Sequence, residues 1–420
     1  MILDPPSVWQ IFLADVVGGF KDISTVVAAA SVPDSSFYAQ YNILATASPQ
    51  ARKRIFEDSR IAILVTAVES NTDYEGAGSN NGSLVADWVR KLKMLALSAA
   101  FLDGTPYEVD RVSFPSGRTF LVGAKRYLQL GRDFDFASLS LDVNGNFRVD
   151  GALIELAPVP EAGGLELVTS DPLLYPPNVA DLVPLTEVQV DTADWINVID
   201  EAVKLVSLHT ASLELVRCFA RAIVPVQGTA ENVHCSISFS TKPGALYLSY
   251  ASSPEVIAEA IVHESDHQWF YALTRHHSFW TQPIATQPEI FRSPWRDDPR
   301  PLDGLLRGAS AFVRVAEFWS GLVGSKKKGD VDLSSAGQKA ILSALQAIDA
   351  LRSIIRFGEL SDTGYELVDD LDLRAKQLLN GLERYSQFPA WEASALRKMA
   401  QHDEAWRMRN NATEKDRVTL

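Results

Sequence analysis

One stretch constrains the fold more than any other: a strand candidate at Ala245 to Tyr250 that runs through Ser253-Pro254-Glu255 into a helix carrying His263-Glu264-Ser265-Asp266-His267. Each of the three lead-in residues suits a helix start. Ser caps unpaired N–H groups, Pro tolerates the first helical position, and Glu sits at the positive end of the dipole. Pro243-Gly244 supplies the turn before the strand. Val256, Ile257, Ala260 and Ile261 form an apolar stripe, so the histidines continue from a buried surface. At about 100° per residue, positions four apart lie roughly 40° apart on one helix face, where two imidazoles can grip one ion. The plainer alternative is a pair of surface histidines on an amphipathic helix.

A metal held by His263 and His267 needs a further ligand. Glu317 follows Leu306, Ser310 and Val313 at helical spacing on a second helix, and an inward carboxylate is costly unless paired or bound to a cation. Pairing with Arg307 or Arg314 is the competing explanation for it. His276 and His277 are weaker candidates because the sequence after Leu273 reads as loop, and Asp266 could orient a histidine from behind. The segment Ser293-Pro-Trp-Arg-Asp-Asp-Pro-Arg-Pro301 places Arg296 and Arg300 in a proline-braced loop, a setting suited to holding a carboxylate ligand. Ion pairs to Asp297, Asp298 or Asp303 would explain the same arginines without a ligand.

The remainder reads as an α+β, mainly α-helical chain. A helical N-terminal region covers 1 to 104, with Ile61 to Val65 buried and Leu84 to Leu102 a long amphipathic helix. A small antiparallel sheet is expected from 105, with Asn144-Gly145 as a hairpin turn, followed by a Pro-rich connector from 157 to 190. The metal-binding core occupies 191 to 330, and a helical region 331 to 420 follows the linker Lys326-Lys327-Lys328. The Gly-Ala-Gly-Ser-Asn-Asn-Gly run at 76 to 82 lacks the strand and the Lys of a phosphate loop and reads as a flexible loop.

A formal net charge of −14 over 420 residues argues against a general nucleic-acid or anionic-membrane binder. Two cysteines, Cys218 and Cys235, are too few for a disulfide framework. No run approaches the roughly 18 apolar residues of a membrane span, and the first residues do not read as a secretory signal. The expectation is a cytoplasmic protein, of no defined oligomeric state.

The stretch from about 190 to 324 resembles a family of His-Glu-x-x-His enzymes found beside precursor peptides, the 2-oxoglutarate-dependent peptide β-hydroxylases. The resemblance rests on Arg221-Ala-Ile-Val-Pro225, the Gly244-Ala-Leu-Tyr-Leu-Ser strand, Ile261 to His267, Pro294 to Pro301, and the helix from Gly308 through Ala311 to Glu317-Phe-Trp319. It implies a zincin-like core, strand then motif helix then second ligand helix. It also implies Fe(II) on His263, His267 and Glu317, with 2-oxoglutarate held by Arg296 or Arg300. The substrate would be a ribosomally synthesised precursor peptide, hydroxylated on a side-chain β-carbon and aligned by edge pairing with the strand from 245 to 250, and zinc could occupy the site as purified. The family usually reads His-Glu-Phe-Gln-His, often has Gln or His at the position of Arg307, and sometimes has His where Phe312 stands. Two histidines and a carboxylate also suit zinc, with Glu264 as general base of a peptidase. A non-catalytic peptide-binding protein is the third expectation.

Overall fold

Apolar residues at helical spacing open the chain, and the helices they form are α1 (Pro5–Ala30), α2 (Ser35–Thr46), α3 (Pro49–Phe56) and α4 (Asn81–Asp103). The computed structural model describes residues 4–30, 35–58, 60–65, 81–114, 118–129, 134–169, 171–175, 182–185, 189–228, 234–282, 291–325 and 332–410. The Gly-rich run therefore lies outside the described residues except for Asn81 and Gly82, which begin α4, and the Lys326 linker lies outside them entirely. Ile61 to Val65 is helical and buried throughout.

Short alternating runs then pair into a six-stranded antiparallel sheet made of β1 (Tyr107–Phe114), β2 (Arg118–Leu121), β3 (Arg126–Gln129), β4 (Phe134–Leu141), β5 (Phe147–Val149) and β6 (Ala152–Pro158), in the order β1-β4-β5-β6-β3-β2. The expected Asn144-Gly145 turn joins β4 to β5, with Gly145 at φ +80°. The Asp142 carboxylate accepts from the Asn144 and Asn146 amides at 2.8 and 2.9 Å, which holds the turn closed. Leu97 and Ala100 of α4 cover the sheet through Val109, Leu121, Leu139 and Phe147.

A second sheet contains β7 (Glu161–Ala162), β8 (Leu165–Leu167), β9 (Ala222–Pro225), β10 (Ser236–Ser238) and β11 (Ala245–Leu248), in the order β10-β11-β9-β8-β7. This corrects the expectation that the connector from 157 to 190 holds no periodic element. Gly163-Gly164, both at positive φ, make a tight turn, and the three residues of β8 are buried against β9. It also corrects the idea that the strand from 245 offers an edge to an extended peptide. That strand pairs with β9 on one side and β10 on the other, so both rows of backbone groups are used.

The rest is helical: α5 (Thr192–Val206), α6 (Thr210–Phe219), α7 (Pro254–Thr274), α8 (Leu302–Gly324), α9 (Leu333–Phe357), α10 (Asp362–Leu382) and α11 (Phe388–Arg409). The fold is α+β and mainly helical. No helix among the described residues is long and apolar enough to cross a membrane. Contacts divide the chain into two interleaved units. One holds the described parts of Met1–Trp9, Val198–Ala220 and Ala251–Leu420, and the other those of Gln10–Asn197 and Arg221–Tyr250.

The second unit is built around a buried cation that no sequence spacing announces. Arg60, 2% exposed, donates to Asp171 at 2.6 Å, to Glu166 at 3.0 Å and to Asp58 at 3.2 Å. Asp58 in turn accepts the Gly123 amide at 2.7 Å, so the cluster links the turn after β2 to the helical segment at 60 to 65. Burial pushes the Glu166 carboxyl upward against the pull of Arg60. Removing the guanidinium would strand three buried carboxylates. Arg60→Ala is therefore expected to destabilise the protein by about 3–5 kcal/mol, read from urea unfolding followed by far-UV circular dichroism; a loss below 1 kcal/mol would mean that the carboxylates are solvated.

Candidate metal centre

Helix α7 begins where its cap dictates: Ser253 Oγ accepts from the Val256 amide at 3.4 Å, and Pro254 occupies the first turn. Ile257, Ala258, Ile261, Val262, Trp269 and Phe270 are buried, which fixes the rotation of the helix and with it the direction of the motif. The rings of His263 and His267 stand edge to face with centroids 4.6 Å apart, each half-buried. Burial first, then the positive neighbours His263 and Arg307, hold the His267 imidazole well below the ordinary histidine range. It is a neutral base at pH 7, the state in which a histidine can ligate. Its Nδ1 is buried with no hydrogen-bond partner, an orphan that a cation would satisfy.

Aromatic rings close one side of this pair. Phe312 of α8 meets His263 edge-on at 5.5 Å, and Trp295 stacks on Phe312 at 4.5 Å. Trp295 fits because Gly308 lies beneath it, where a Cβ would come within 2.1 Å of the indole. On the next turn Tyr271 lies 6.5 Å from the His267 ring, and Arg307 donates to its hydroxyl at 3.2 Å. Glu264 is buried at 2% exposure. Sequence reasoning named Phe312 and Trp295 only through the resemblance and gave neither a place beside the histidines, and it did not single out Tyr271, an aromatic at helical spacing that reads as ordinary core.

The other side of α7 carries charge. Asp266 is fully buried, with Arg314 Nε 3.4 Å away, and burial raises its carboxyl. Arg314 also lies 3.5 Å from Glu317. Both Glu317 oxygens accept from Arg374 of α10, at 2.8 Å each, and Arg374 reaches Asp370 at 3.2 Å. Burial would raise the Glu317 carboxyl, but Arg374, followed by Arg314 and His209, brings it below the usual carboxylate range. The inward orientation expected for Glu317 is present, and its oxygens are engaged by this fork. Among the described residues no group of three His, Cys, Asp or Glu side chains stands close enough to share a cation, so Glu317 is not brought to the imidazole pair. His276 and His277 fall beyond the end of α7, exposed and half-exposed.

The proline-braced loop is anchored to the helices behind it. Phe291 and Arg300 exchange backbone hydrogen bonds of 2.9 and 3.2 Å, Gln346 of α9 donates to the Pro294 carbonyl at 2.9 Å, and His402 of α11 meets the Ser293 carbonyl at 3.0 Å. Arg292 pairs with Asp349 and Asp403. Arg296 and Arg300 share one carboxylate, Asp298, at 2.8 Å each, and Arg296 is exposed. The internal pairing weighed from the sequence is what the loop shows for both arginines.

The donor set therefore fits a borderline cation only in part: two adjacent imidazoles suit zinc or ferrous iron, while the third ligand implied by the resemblance is occupied elsewhere. The chain matches no family model and no curated protein.

Two measurements follow from this geometry. Zinc titrated into the purified protein should bind at least about tenfold more weakly after His263→Ala or His267→Ala, and with unchanged affinity after Glu317→Gln; a matching loss in Glu317→Gln would make that residue a ligand. Because the folded pKa of Glu317 lies below its ordinary 4.5, its contribution to stability is complete above that value and disappears as pH falls through the folded value. Wild type should thus exceed Glu317→Gln in urea resistance at pH 6 and lose that margin on acidification below pH 4.5.

Proposed function

We propose that this protein is a His-Glu-x-x-His metalloenzyme acting on a peptide, with His263 and His267 holding the ion. The observation that carries the reading is the imidazole pair with 4.6 Å between centroids, one ring neutral and with an orphaned nitrogen, closed on one side by Phe312 and Trp295. Ionisable groups with perturbed pKa values gathered at a half-buried position mark functional sites more often than structural ones.

Of the reactions open to such a site, hydroxylation of a side-chain β-carbon in a ribosomally made precursor peptide is the one the resemblance supports. Iron bound with 2-oxoglutarate would let dioxygen attack unactivated C–H bonds, one oxygen atom entering the peptide as hydroxyl and the other entering succinate as carbon dioxide is released. In this reading the zincin-like order of strand, motif helix and second helix belongs to the proposal. The protein's own residues hold the geometry. The Trp295–Phe312 stack keeps water from the His263 side, and Arg307 fixes the Tyr271 ring. Two of the positions at which the chain departs from the family, Arg307 and Phe312, are among those that line the pair.

A zinc peptidase is the second reading, favoured by the loop arginines: Asp298 already neutralises Arg296 and Arg300, which a 2-oxoglutarate site would need for the distal carboxylate. Glu264, on the turn between the histidines, would then act as the base. Anaerobic loading with Fe(II), followed by 2-oxoglutarate, candidate peptides and air, should release succinate and add about 16 Da to one of them. Cleavage of a peptide with zinc and no succinate with iron would replace the hydroxylase by the peptidase. Unchanged peptide affinity in His263→Ala, with no turnover under either condition, would reduce the protein to a binder.

A further inference from the structure

Outside the candidate metal centre, α1, α2 and α3 line a half-open cavity of about 660 Å³ in the other unit. Its inner wall is apolar: Leu13, Val17 and Phe20 of α1, Leu44 of α2 and Phe56 of α3. Phe20 and Phe56 meet edge to face at 5.4 Å and form one end of it. Leu13, Val17 and Phe56 are only half-buried, so side chains at core spacing keep apolar area uncovered, at a cost of roughly 25 cal/mol per Å². A volume in this range is that of a small-molecule site.

The same cavity is lined by Lys21, Arg52 and Lys53, against one acid, Glu57, which lies 3.9 Å from Lys53. Arg52 donates to the Ala45 carbonyl at 2.5 Å, which sets its guanidinium beside α2. Three cations against one anion stand out in a chain whose formal net charge is −14. Cations that share a concave apolar cavity concentrate a positive field there. An apolar interior with basic lining matches one ligand chemistry: a linear apolar tail ending in a single anionic head.

We propose that this cavity binds an anionic amphiphile, its tail packed between Leu13, Val17 and Phe56 and its carboxylate or phosphate head met by Lys21, Arg52 and Lys53. A bare anion would leave the apolar wall unfilled, and a neutral chain would gain nothing from the positive lining. The site is separate from the imidazole pair and does not depend on the reaction proposed there.

Calorimetric titration of the full chain with dodecanoate, dodecyl phosphate, dodecanol and inorganic phosphate, each below its self-association range, separates the possibilities. Dodecanoate and dodecyl phosphate should each saturate one site, the tighter of the two identifying a free acid or a phosphate head as the source. Dodecanol should bind at least about tenfold more weakly, in line with a charge-assisted contact, and inorganic phosphate should show no saturable binding. Val17→Trp, which fills the cavity, should weaken dodecanoate at least about tenfold. The exposed pair Lys21→Glu with Lys53→Glu should do the same for the anions while leaving dodecanol unchanged, so the result stands even where Val17→Trp fails to fold. Equal affinity for dodecanol and dodecanoate, saturable binding of inorganic phosphate alone, or no effect of the charge reversals would overturn the proposal. So would loss of dodecanoate binding in a folded His263→Ala protein, which would move the anion to the imidazole pair.

Discussion

The bidentate pair between Glu317 and Arg374 is the interaction on which the helical unit depends. It joins α8 to α10 through two hydrogen bonds of equal length, and Arg314 extends it to the buried Asp266 of the motif helix. A buried carboxylate alone would give up its proton poorly. A fork of donors with fixed geometry reverses that, because both oxygens of the half-buried Glu317 keep charged partners. Asp266, Arg314, Glu317, Arg374 and Asp370 alternate in sign along this line. Each charge has an opposite neighbour, and no single pair bears the desolvation cost.

That arrangement bears directly on the candidate metal centre. Asp266 lies on the turn between two histidines whose rings face Phe312, Trp295 and Tyr271 on the aromatic side. Burial raises the carboxyl at 266 even with Arg314 Nε 3.4 Å away, and Arg314 also reaches Glu317. The middle of the motif and the candidate third ligand are thus electrostatically linked. A carboxylate held by two guanidinium groups is a poor donor to a cation, since it would have to break charge-assisted hydrogen bonds to reach it.

What was legible in the sequence was local. Ser253-Pro254-Glu255 announced α7 because a helix start needs caps within a few residues, and Asn144-Gly145 announced its hairpin because only such residues take positive φ cheaply. The inward turn of Glu317 followed from spacing on one helix. Its partner did not, since Arg374 lies 57 residues further on in a helix whose register against α8 no local pattern encodes. The Arg60 cluster was hidden for the same reason, drawing Glu166 and Asp171 from over 100 residues away. Proline and glycine between 157 and 190 suggested a connector. Two very short strands there survive on backbone pairing and burial against β9, which composition does not report.

The strand before the motif shows how burial decides between structure and function. From sequence, Ala245 to Leu248 could serve either as a core strand or as an edge on which a peptide lies. Every residue of it is buried, and it has neighbours on both sides, β9 parallel and β10 antiparallel. Its backbone is fully committed, so its role is to hold the sheet and lead into the turn before Ser253. Around the imidazole pair the neighbouring rings are Phe312, Trp295 and Tyr271, and in the proposed reading they would meet an apolar or aromatic side chain of the substrate.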